Sequence, residues 1–151
     1  MLKYLISILF ILSILLACSK PEKVALEFRI AEDEPAPNLT EMVFEPTGNI
    51  FYLHNEVLLN QNDVKSAAVV TQQERPVVEL ILTPEGAIKF KDLTAKNIGK
   101  KCAMVLNGKL LSAPVIRDTI PGGRAIINGI FTKSEAEAIA SGLMKINFKQ
   151  P

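Results

Sequence analysis

The chain has 151 residues with formal charge +1, 48% hydrophobic and 22% charged residues. That length and balance fit one globular domain, and they exclude a multidomain machine, a disordered acidic tail and a rod. Near-neutral charge argues against a nucleic-acid footprint, and two cysteines with one histidine cannot build a Cys/His zinc cage alone. No metal and no cofactor are expected.

The N-terminus departs from the average. Met1-Leu2-Lys3 precedes an apolar run, Tyr4 to Ala17, broken only by Ser7 and Ser13, and then Cys18-Ser19-Lys20-Pro21-Glu22. A positive start, an apolar stretch and a cleavage site make a signal peptide. As a helix the run reaches about 21 Å, short of the ~30 Å hydrocarbon core. Leu15-Leu16-Ala17-Cys18 resembles the bacterial lipobox, whose cysteine takes a diacylglycerol and becomes the first mature residue. The expected organisation is residues 1–17 as a lipoprotein signal peptide, 18–25 as lipidated Cys18 and tether, and 26–151 as the domain. By that resemblance the chain is anchored in the bacterial cell envelope, facing the periplasm or the cell exterior. Ser19, where an aspartate would favour inner-membrane retention, leans towards the outer membrane.

Leu26-Glu27-Phe28-Arg29-Ile30 alternates as a half-buried strand does, and Ala31 to Asn38, with Pro35 and Pro37, reads as a loop. Asn49 to His54 is a second strand, and Asn60-Gln61-Asn62-Asp63 a turn or helix cap before a strand ending near Val70. Pro76 to Leu82 is β-branched-rich, and Thr83-Pro84-Glu85 supplies an N-cap, a first-turn proline and an acid for a helix that Gly99 stops. Its apolar stripe is Ala87, Phe90, Leu93 and Ile98. Lys101 to Leu106 and Lys109 to Ser112 flank Asn107-Gly108, a strong hairpin signal. Pro121-Gly122-Gly123 is a turn before Arg124–Asn128, and Thr132-Lys133-Ser134-Glu135 a capping box for a last helix with Ala136, Ile139, Ala140 and Leu143 on one face. The order predicts an α+β fold, two helices packed on one face of a largely antiparallel sheet.

Alternation places Cys102 with Met104 and Leu106 on one buried face, and His54 reads as a hydrogen-bonded residue at a strand end. Charge divides along the chain: Cys18 to Asp63 carries a net −6 and Val64 to Pro151 a net +6. Two solvated faces that attract each other explain this most simply, and a basic surface for anionic partners is the alternative. No P-loop, G-x-S-x-G or H-E-x-x-H motif occurs, so no catalytic residues are assigned. An envelope hydrolase would need Ser112 close to His54.

The stretch LTPEGAIKFKDLTAKNIGKKCAMVLNGKLLSAPVIRDTIPGGRAIINGIFTKSEAEAIASGL, Leu82 to Leu143, resembles the head of the first periplasmic domain of SecD/SecDF, an accessory of the Sec protein-translocation channel. FYLHNEVLLNQNDVKSAAV, Phe51 to Val69, is similar to the segment preceding that head. The resemblance implies a non-enzymatic polypeptide-binding role in protein export, with exported polypeptides or Sec translocon components as partners. Beyond residue 18 no apolar span of ~20 residues occurs, so proton-driven translocation by this chain alone is not expected. Pro114 interrupts a strand and can leave an edge open to strand addition. The candidate binding residues are therefore Ser112, Ala113, Pro114, Val115 and Ile116, with Gly122, Gly123 and Arg124 alongside. The alternative is an envelope-assembly or structural lipoprotein that binds one fixed protein partner.

Overall fold

A computed structural model describes residues 25–146. The expected signal peptide, Cys18 and most of the tether lie outside the described residues. The elements run β1 (Leu26–Glu32), β2 (Leu39–Phe44), β3 (Asn49–His54), β4 (Leu59–Asn60), a 3-10 turn (Gln61–Asp63), β5 (Val64–Gln72) and β6 (Arg75–Leu82). They continue as α1 (Pro84–Lys96), β7 (Lys101–Leu106), β8 (Lys109–Ser112), β9 (Arg124–Ile127) and α2 (Lys133–Ile146).

All strand pairing is antiparallel, and it falls into two sheets. One has the order β2-β3-β1-β7-β8, with β4 also on β1; the other is β5-β6-β9. The α+β class with two helices is as the periodicities predict, while the division into two sheets was not visible in them. β1 explains how the layers join. Its Leu26, Phe28 and Ile30 face one core together with Phe90 and Leu93 of α1, Leu80 and Ile127 of the small sheet, and Ala140 and Leu143 of α2. The rings of Phe28 and Phe90 meet edge-on, their centroids 6.1 Å apart, a favoured aromatic arrangement.

The expected loop from Ala31 to Asn38 begins two residues later, and an unforeseen strand follows it. Ala31 and Glu32 extend β1, and β2 follows after Asn38, whose φ of 65° turns the chain. The β2–β3 hairpin curls across the outer face of the large sheet, so β2 lies near β8. Met42, Phe44 and Phe51 then cover a second core of Ala31, Leu53, Ala103, Val105 and Leu110. This packing explains why β7 reads as a nearly continuous apolar run: both its faces are buried.

Each helix begins where its capping residues dictate. Thr83 Oγ1 accepts from Gly86 N–H at 3.0 Å with Pro84 in the first turn. Thr132 Oγ1 accepts from Glu135 N–H at 3.2 Å, and Glu135 Oε2 accepts from Thr132 N–H at 2.7 Å, the reciprocal capping box. On α1, Phe90 and Leu93 are buried as expected, but Ile98 lies beyond the helix end and is 55% exposed.

The charge division is resolved within the fold. Four ion pairs join the acidic first part to the basic second: Glu32 with Lys100 at 3.2 Å, Asp33 with Lys101, Glu45 with Lys109 at 2.6 Å, and Asp63 with Lys89 at 2.7 Å. Attraction between the two parts, not a separate basic face, is what these pairs express. Cys102 is buried, and desolvation pushes its thiol up to about 12, far from a reactive thiolate.

Candidate functional site

Past Ser112 the chain stays beside β7 although β8 has ended. Cys102 N–H donates to the Pro114 carbonyl at 2.9 Å, Ile116 N–H to the Lys100 carbonyl at 2.8 Å, and Lys101 bridges Val115. Because inward and outward groups alternate along an antiparallel strand, the main-chain N–H and C=O of Ala113 and Val115 point away from β7. Neither residue makes a main-chain hydrogen bond among the described residues. Pro114, lacking an N–H, faces inward and weakens the ladder there without affecting the outer edge.

The eight candidate residues are not equally accessible. Val115 is 46% exposed, Pro114 is exposed and Ala113 half-buried, whereas Ser112 and Ile116 point into the main core. Ser112 Oγ is buried without a hydrogen-bond partner, so it forms no pair with His54 and no nucleophile–base arrangement exists between them. An orphaned hydroxyl is a cost to folding. Ser112→Ala is accordingly expected to leave stability unchanged or raise it by up to about 1 kcal/mol, which a urea midpoint would measure; a loss of more than that would assign the hydroxyl a missed partner.

Gly122, Gly123 and Arg124 lie elsewhere. The chain from Ile116 runs back along α1: the Ile116 carbonyl accepts from Gly99 N–H at 2.8 Å, Ile120 N–H donates to Thr94 Oγ1 at 3.0 Å, and Gly123 abuts Ala87. Ala87 is in the first turn of α1, whereas Gly99 lies just past its end at Lys96, nine residues or about 14 Å along the helix from Ala87. The two groups therefore sit at opposite ends of α1. Gly123 is buried with φ of 63°, and the Arg124 guanidinium pairs with Glu79 at 2.6 Å. Both act in the β6–β9 connection, where Leu82 N–H donates to the Gly123 carbonyl.

At the Lys100 end of β7, on the side of β1 and the exit of α1, lies a groove of about 380 Å³, lined by Ile30, His54, Glu56, Leu58, Lys96, Asn97 and Lys100 and not by Ala113, Pro114 or Val115. Ile30 and Leu58 supply apolar surface and the rest a mixed-charge rim. The sequence offered no signal for it, because its lining comes from β1, the end of β3, the approach to β4, and the exit of α1.

Glu32 organises this end of the molecule. Its Oε1 lies 3.1 Å from His54 Nε2 and 3.2 Å from Lys100 Nζ. Those hydrogen bonds, from His54 first and Lys100 second, hold its carboxyl below the usual carboxylate range. A depressed folded-state pKa contributes stability above the unfolded value of 4.5 and loses it as pH falls through the folded value. Glu32→Gln is thus expected to flatten the fall in urea midpoint between about pH 5 and about pH 3 relative to wild type; parallel curves would dismiss the triad as an energetic link.

The fold agrees with what similar proteins show. The family model described as SecDF, P1 head subdomain matches residues 38–145. The chain belongs to the SecDF P1 head subdomain family. It is 50% identical over 84 residues to the protein translocase subunit SecDF of Thermus thermophilus, covering 55% of this chain and 11% of that one. To the SecD subunit of Sebaldella termitidis it is 37% identical over 101 residues, 64% of this chain and 25% of that one. A solved structure of SecDF, described as a membrane component that enhances protein export, superposes with a TM-score of 0.66 at 34% identity, covering 80% of this chain and 62% of that one. SecDF in a super-membrane-facing form gives the same TM-score at 35% identity, covering 80% of this chain and 18% of that one. The chain therefore spans from about a tenth to a quarter of the length of these curated relatives. Among the described residues no helix is long and apolar enough to cross a membrane.

Proposed function

We propose that this SecDF-head chain is a lipid-anchored, non-enzymatic module that binds extended polypeptide outside the cytoplasm and assists protein export. Membership of a translocase-subunit family supports the link to export. The observation that carries the binding role is the outward main-chain edge at Ala113 and Val115, since strand addition takes its affinity from such unpaired groups. The exposed Val115 side chain adds apolar surface for a side chain of a bound segment. Of the eight candidate residues, Ala113, Pro114 and Val115 form the contact, with Ser112 and Ile116 setting its register from beneath. Sec translocon components are the second class of partner this reading admits. The anchor is a diacylglycerol on the sulfur of Cys18, with the chain held in the bacterial envelope and Ser19 favouring the outer membrane.

Val115→Asp is the direct test. A carboxylate there sits on the surface, so circular dichroism is expected to match wild type. Affinity for a reduced, carboxymethylated polypeptide is expected to fall at least about tenfold, equivalent to ~1.4 kcal/mol. Unchanged affinity in the folded variant would remove this edge from the binding site. Pairing Val115 with Ile116 in one charged variant would confuse the result, because Ile116 is buried and a charge there destabilises the core.

A further inference from the structure

The first described residue is fixed on both sides. Ala25 N–H donates to Asn107 Oδ1 at 2.8 Å, its carbonyl accepts from Asn107 N–H at 2.8 Å, and Leu26 N–H donates to Gln61 Oε1 at 3.2 Å. The chain arriving from Cys18 is thereby delivered to the Asn107–Gly108 turn. The β2–β3 turn reaches the same end, since Glu45 pairs with Lys109 at 2.6 Å. On the outer face of that hairpin Val43 stands opposite Ile50, and Glu41 opposite Tyr52. Val43 and Ile50 are 46% and 44% exposed, while Met42, Phe44 and Phe51 turn inward to the second core. Val43 and Ile50 thus stand together as an adjacent cross-strand pair on the face turned away from the second core.

Chain geometry limits what this patch can meet. From Cys18 to Ala25 is seven residue steps, at most ~25 Å when fully extended. A compact domain of this size is roughly 35 Å across. A domain so tethered stays within its own diameter of the lipid, and the end carrying Ala25 is presented to the bilayer at high effective concentration. The polypeptide edge is at the other end of β1. Leu26 pairs with Leu106, whereas Ala31 pairs with Lys101, which bridges Val115; five residues of strand separate them by about 17 Å.

We propose that the outer face of the β2–β3 hairpin at Val43 and Ile50, close to the turn that Glu45 ties to Lys109, docks on the phospholipid surface that carries the anchor and leaves the Ala113–Val115 edge, at the other end of β1, farther from the membrane. This rests on the lipid anchor proposed above. The occupant is a bilayer: the two aliphatic side chains enter the boundary between headgroups and acyl chains.

The experiment uses the full chain isolated with its anchor and reconstituted into phosphatidylethanolamine–phosphatidylglycerol vesicles. An environment-sensitive dye is placed at Ile50→Cys or, separately, at Val115→Cys. Cys102 does not compete, because it is buried with its thiol pushed up to about 12. Quenching by nitroxide-bearing lipids is expected to be at least about threefold stronger at position 50 than at 115, with a blue-shifted emission at 50 only. Equal quenching, or stronger quenching at 115, in a chain that floats with the vesicles and carries lipid on Cys18 by mass spectrometry would overturn the docking alone. A chain that does not float, or whose Cys18 is bare, would overturn the anchor and this inference with it.

Discussion

Phe28→Ala is expected to cost about 4 kcal/mol, the largest stability loss of any single truncation in the domain. Phe28 is fully buried and stands where the large sheet meets α1, its ring edge-on to Phe90. The core it belongs to draws on both sheets and both helices, so no one element can shift to fill the space without separating from another. The loss then contains both the transfer of the ring's apolar area and a cavity that does not collapse. Domains of this size are stable by ~5–15 kcal/mol, so the variant retains its fold at low temperature and unfolds at a much lower urea midpoint. A loss below about 1.5 kcal/mol would mean that the core repacks freely, contrary to the arrangement of layers described here.

Gly86→Ala is expected to be nearly as damaging, at about 3 kcal/mol, although it adds a single methyl to a helix and alanine is the better helix former. The reason is the approach of α1 to the 3-10 turn. A Cβ on Gly86 would press into the Asp63 carbonyl oxygen and stand 2.9 Å from the Asp63 Cβ. That carbonyl cannot retreat, because it accepts from Thr83 N–H at 2.8 Å. The Asp63 side chain is equally committed: Oδ2 accepts from Asn60 N–H at 3.0 Å and Oδ1 from Lys89 Nζ at 2.7 Å. The methyl therefore displaces the start of α1, the Thr83 cap and the Asp63–Lys89 pair together. Thermal unfolding measures the effect. A Gly86→Ala protein as stable as wild type would show that the helix start is free to move and would undo this account of the junction.

These two residues also mark the limits of what the residues alone disclose. Phe28 was legible as an inward position, because alternation from Leu26 to Ile30 fixes which face is buried. The capped starts of both helices and the Asn107–Gly108 hairpin were legible for the same local reason: each is decided by groups within a few residues. Nothing near Gly86 in sequence discloses its constraint, which comes from Asp63. β2 was missed because Leu39 to Phe44 is only half covered and its burial depends on curling over β7, a long-range event without a local period. The candidate edge was found at Pro114 and Val115, where a proline interrupts an alternating run. Gly122 to Arg124 were joined to it by proximity in sequence, yet the connecting chain follows α1 and carries them to the other end of that helix. The groove by Lys100 had no sequence signature at all.

In-cell photo-crosslinking from position 115, with position 73 at the exposed β5–β6 turn as the control, tests the central claim most directly. A photoreactive residue at 115 is expected to capture many unrelated exported polypeptides, or Sec-channel subunits, while the control captures few. Capture of one dominant envelope protein in fixed proportion would contradict the export reading and make the chain a dedicated assembly lipoprotein. Equal capture at both positions would contradict the edge itself.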